Sequence, residues 1–216
     1  MKDLKPPGLR QLALPELLEI IWDGEANEHY DSAELVLAND PNPNFANTHL
    51  EDSHLRVGTA QKVLASRAKY FDSRISVESA LEWAGSNSAF RNTLIDGGRI
   101  GSLDLSGGTF NSVRIDGLKI GYGNFINGTI NDVLFSNCTF DTLDLFGCKA
   151  KRVAFENCSV EELDVRTATL EDFDLRGLAF SQVNGLQSLY GGTINELQLM
   201  QLAPLLANNL GLVVLD

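Results

Sequence analysis

Residues 117–147 read GLKIGYGNFINGTINDVLFSNCTFDTLDLFG, and every fifth residue from Ile120 is apolar: Ile120, Phe125, Ile130, Phe135, Phe140, Leu145. The series runs without a slip from Phe90 to Phe180, and only Ala150 in it is small. With 44% hydrophobic residues overall, chance does not produce such a run. A helix repeats at 3.6 residues and a strand at 2, so a period of five demands a short strand plus a corner.

Two residues before each apolar centre stands a second apolar residue or glycine, as at Leu103, Gly108, Val113, Leu118, Gly123 and Gly128. Residues two apart on an extended chain share a face, so both positions point inward and the residue between them points out. Every tenth residue suits a left-handed backbone: Gly97, Gly107, Gly117, Asn127, Asn137, Gly147, Asn157 and Gly177, with Thr167 breaking the rule. Alternate corners are therefore expected to use type II-like turns, with a different turn or strain at Thr167.

The segments LDLSG (103–107), LDLFG (143–147), LDVRT (163–167) and FDLRG (173–177) resemble the motif of the pentapeptide-repeat family. That resemblance implies a right-handed quadrilateral parallel β-helix, an all-β solenoid with four pentapeptides in each twenty-residue coil. Three regions are expected. Residues 1–29 form a leader and a helical cap, with a short helix over 14–22. Residues 30–185 form the β-helix, degenerate over 30–86 and regular over 87–183. Residues 186–216 form a capping helix and a short strand. The phase persists through 56–86, which favours continuous coil over a helical insertion. Nearly eight coils at about 4.8 Å each make a rod of roughly 35–40 Å.

Thr193-x-x-Glu196 reads as a capping box opening the C-terminal helix, Pro204 as a kink or stop, Gly211 as a C-cap and 212–215 as a strand. The helix carries more than one apolar stripe, so one face closes the solenoid and the other is free to pair with a second copy. Leu197, Met200, Leu206 and Leu210 are the candidate dimer interface. The tail resembles the homodimerising end of several pentapeptide-repeat proteins.

The sequence carries no catalytic signature. Cys138, Cys148 and Cys158 fall at inward positions and read as small core residues. His49 and His54 point outward on adjacent faces, poorly placed to share a metal or a proton. GYGNFING (121–128) fails the phosphate-loop pattern at Ile126, and its glycines belong to the repeat. No catalytic constellation, cofactor site or metal site is expected. Glu16 and Glu19 interrupt the one apolar run near the N-terminus, so the chain reads as a cytoplasmic protein with no signal peptide or membrane span.

Charge carries what remains. The net charge is −12, and no Lys or Arg occurs between Gln11 and Leu55. Direct nucleic-acid binding is excluded, since phosphates need a basic footprint. The candidate acidic face comprises Glu25, Glu28, Asp31 and Glu34, with a ladder of outward residues twenty apart: Asp104, Asn124, Asp144, Asp164. The plainer role of the ladder is to hydrogen-bond nearby turn backbone. Ile126 and Phe146, also twenty apart, are a candidate apolar contact, and Leu134 is a third outward apolar residue. The family resemblance implies a protein-binding role without catalysis, in some members as a DNA mimic acting on DNA gyrase or topoisomerase IV and on quinolone sensitivity. The alternatives are a scaffold for another protein and a purely structural module.

Overall fold

The structure, a computed structural model, describes residues 4–22, 26–37 and 40–212. Glu25, and all but the first residue of the strand expected over 212–215, lie outside them. The chain is a parallel β-solenoid of about eight turns with one C-terminal helix, Glu196–Asn209. Successive coils pair in a constant register of twenty residues: Ile120 beside Phe140, Phe140 beside Val160, Val160 beside Phe180. Strands at His54–Leu64 and Arg74–Ala84 keep that register, Leu55 beside Ile75, so 56–86 is coil and not an insertion.

The inward positions make one continuous core. Phe110, Phe125, Phe135, Leu145 and Val165 are all buried, and aromatic rings stack up its axis. Tyr70, Phe90 and Phe110 lie 5.1 and 4.9 Å apart between successive ring centroids. The cysteines are buried free thiols. Cys138 and Cys158 are stacked neighbours, the Cys138 N–H lying 3.4 Å from the Cys158 Sγ. Cys148 faces another column, where it donates to the Phe125 carbonyl.

The corners hold one surprise. The expected positive φ occurs at Gly97 through Asn157 and also at Thr167, at 57°, so Thr167 keeps the turn and bears the strain of a β-branched residue there. Gly177 departs from the rule and is not left-handed. A Cβ there would lie 2.0 Å from the Phe155 carbonyl oxygen, so close approach of a neighbouring coil requires that glycine. A second left-handed column was not anticipated: Ser32, Asp52, Asp72, Asn92, Ser112, Asp132, Arg152 and Asp172, twenty apart, all with φ between 47° and 57°.

The N-terminal cap is a correction. No helix forms over 14–22. Leu18–Ile21 is a strand that pairs with Ala33–Val36, Leu18 beside Ala33. The first coil exposes an unpaired edge, and satisfying its backbone outweighs the weak preference of a nine-residue segment for helix. Trp22 then lids the core, buried, with its ring 4.2 Å from Phe45 and 5.5 Å from Tyr30.

At the other end, the expected Thr193 cap is also displaced. The Thr193 carbonyl accepts from the Leu175 N–H, so Thr193 still belongs to the solenoid. Asn195 caps the helix instead, in a reciprocal box with Gln198. The helix runs through Pro204 and ends before Gly211, which has φ 70°.

Candidate functional site

The Asp/Asn ladder is in register, Asn124 between Asp104 and Asp144, and Asp144 beside Asp164. Its oxygens are largely committed inside the protein. Asp104, Asn124, Asp144 and Asp164 each accept the backbone N–H two residues on, from Ser106, Ile126, Phe146 and Arg166, at 2.9 to 3.1 Å. Asn124 also donates to Asp104, and the Tyr122 hydroxyl donates to Asp144 at 2.9 Å. Asp164 is buried and paired with Arg166 at 2.6 Å. These side chains brace the corner, and little of their charge is presented outward.

The other acidic residues are placed differently. Glu28 and Asp31 are exposed and Glu34 is half-buried. Glu34 meets Arg56 at 3.2 Å and His54 at 3.5 Å. Asp31 stacks beside Glu51, with Asp52 and Asp72 at the adjacent corner. Burial and the nearby charges of Asp72, Asp31 and Glu51 together push the Asp52 carboxyl above its ordinary range, the mark of carboxylates crowded without enough cations. Arg91 answers them, 3.4 Å from Glu51 and 3.0 Å from Asp72, while its guanidinium lies over Phe71.

Beside this cluster His29 stacks on His49, ring centroids 4.5 Å apart, an adjacency legible in their spacing of twenty but missed by pairing His49 with His54. Burial, and then His29, hold His49 below the usual imidazole range. His54 is turned away and hydrogen-bonds Ser76 at 2.8 Å. Among the described residues no group of three or more His, Cys, Asp or Glu is placed to hold a metal ion. Nor is any described helix long and apolar enough to cross a membrane.

Two apolar patches remain. Phe146 and Tyr122 are exposed on one side of the rod, with Ile126 half-buried beside them and Arg166 5.6 Å from the Phe146 ring. On the C-terminal helix and its C-cap, Leu197, Met200 and Leu210 are 62%, 66% and 76% exposed, and Leu199 and Leu205 join them. Leu206 instead packs on the core beside buried Leu202. Leu134, expected to be exposed, is buried. The segment 4–17 runs along the outside of the rod and covers that side: the Gly8 N–H donates to Asp132 and the Arg10 N–H to Ser112, both at 2.7 Å.

No family model matches the chain, and no curated protein does. Two solved structures of trypsin-treated variants of QnrB1, described as a plasmid-mediated fluoroquinolone resistance protein, are similar to it. One is 12% identical over 93% of this chain and all of that one, with a TM-score of 0.29. The other is 13% identical over 93% of this chain and 99% of that one, with a TM-score of 0.24. The architecture itself rests on the twenty-residue register, which is consistent with a pentapeptide-repeat family.

Proposed function

We propose that this protein is a non-enzymatic binding rod whose partner is another protein, and that a type II topoisomerase, DNA gyrase or topoisomerase IV, is the specific candidate. The observation that carries the reading is the crowded carboxylate cluster of the first coils: Asp31, Glu51, Asp52 and Asp72, answered by Arg91. A rigid rod bearing surplus carboxylate at one end offers a DNA-binding enzyme a set of anions in place of phosphates. The Asp104–Asp164 ladder contributes less to that field, because its oxygens are engaged by turn N–H groups and Arg166. The exposed leucines and Met200 of the C-terminal helix support pairing with a second copy, which would bury a face too apolar to leave wet.

The test is gyrase supercoiling with purified protein at low salt, with and without a fluoroquinolone. Inhibition or drug protection that weakens in Asp31→Lys/Glu51→Lys supports the reading. Unchanged supercoiling and drug response at micromolar protein ends it. A second reading, a scaffold for a different protein, is favoured by Phe146 and Tyr122: a pull-down lost in Phe146→Ala but kept in the charge-reversed variant would select it.

A further inference from the structure

The segment 4–17 crosses the coils instead of following them. Gly8 bonds to Asp132 and Arg10 to Ser112, so two residues of the segment advance it one coil. The rest of the segment lies near the same column. Leu4 lines a cleft with Leu170, Glu171 and Asp172. Leu9 and Leu12 line another with Asn92 and Leu94. Leu18 donates to the Ser32 carbonyl. Gly8, Arg10 and Leu18 thus sit level with Asp132, Ser112 and Ser32, all in the left-handed corner column. Counting two residues per coil from Gly8 sets Pro6 level with Arg152. Arg152 is the one member of the column whose side chain has no acceptor, and Pro6 has no N–H to offer.

We propose that this corner column is a binding site for an extended peptide in a defined register, and that its occupant is the chain's own N-terminal segment. Recognition has two parts. Alternate N–H groups donate to Asp132 and Ser112, which are buried despite their corner positions, and Asp132 is held by Arg152 through two bonds of 2.6 Å. Leu9, between the two donors, and Leu12, beyond them, line a cleft with Leu94. The clip stands independently of the partner's identity.

The experiment follows the Gly8 and Arg10 amides by hydrogen exchange in the full chain, with tryptic cleavage after Arg10 as a second readout. Gly8→Pro deletes the donor and leaves the rod intact; Asp132→Ala deletes the acceptor. Each is expected to speed cleavage about tenfold or more, as loss of a hydrogen bond to a charged group implies. Inserting two alanines after Ala13 lengthens the segment by one step and slides it by one coil, setting Gly8 against Arg152. Protection of the Gly8 amide should then be lost while the rod's strand amides stay protected. If the insertion leaves Gly8 protected, contact is by unspecific apolar adhesion and the register is overturned. If Gly8→Pro and Asp132→Ala both leave cleavage unchanged, no site exists.

Discussion

Single residues report where the repeat is strained. Thr167 holds a left-handed corner that its neighbours in the column fill with glycine or asparagine. A branched Cβ in that region costs about 1–2 kcal/mol. Thr167→Asn should therefore raise the unfolding free energy by roughly 1 kcal/mol, read from the midpoint of a urea melt at unchanged slope. Tyr70 is buried in the aromatic stack, and its hydroxyl has no hydrogen-bond partner among the described residues. Tyr70→Phe removes an unsatisfied polar group and keeps the ring, so a gain of about 1 kcal/mol is expected in the same melt. The stacked histidines make stability depend on pH. Because the folded state lowers the proton affinity of His49, the unfolded chain binds more protons below pH 6.5. Stability is full above pH 6.5 and is lost as the pH falls from there through the folded value. His49→Gln should flatten that acid limb when unfolding is compared between pH 7.5 and 5.5.

Elements separate what was legible in the chain from what was not. The regular coils could be read because each inward residue repeats at a spacing no other architecture uses, and Phe125, Phe135 and Phe155 sit buried as that spacing requires. The termini could not. Leu18–Ile21 has a helical pattern but meets an open β edge, and long-range pairing decides. Thr193 has a cap's chemistry but its carbonyl is taken by Leu175. The second corner column is masked in the sequence by Ser32, Ser112 and Arg152, which seldom signal positive φ, although Asp or Asn fills its other five positions. The surface was hardest. Spacing aligned Asp104 with Asp144 but could not reveal that their oxygens serve the backbone. At this scale the helix offers a clean test. Leu197→Glu with Met200→Glu should leave the thermal midpoint of the solenoid nearly unchanged, since both are exposed, while converting a dimer to a monomer in sedimentation.

The whole molecule is a rod with unlike sides and ends. Crowded carboxylates sit at the first coils, the N-terminal segment covers one side, and an apolar helix closes the last coil. These differences decide how a partner can approach. If the carboxylate end makes the contact, association should slow steeply as salt rises, because screening acts within about 10 Å at 0.1 M. If Phe146 and Tyr122 make it, the rate should barely respond. Stopped-flow binding across a salt series separates the two.

The clip has one more consequence, for the length of the rod. A solenoid imposes no limit on its own repeat number, since an added coil pairs with its neighbours as well as any other. Here Gly8 and Arg10 are laid against coils more than a hundred residues further along the chain, at two residues of segment for twenty of solenoid. A coil inserted between Leu94 and Asp132 would leave the segment one step short of Asp132 unless two residues were added before Leu18. The chain thus carries a gauge of its own extension, which closes only after the coil bearing Asp132 and Arg152 has been made.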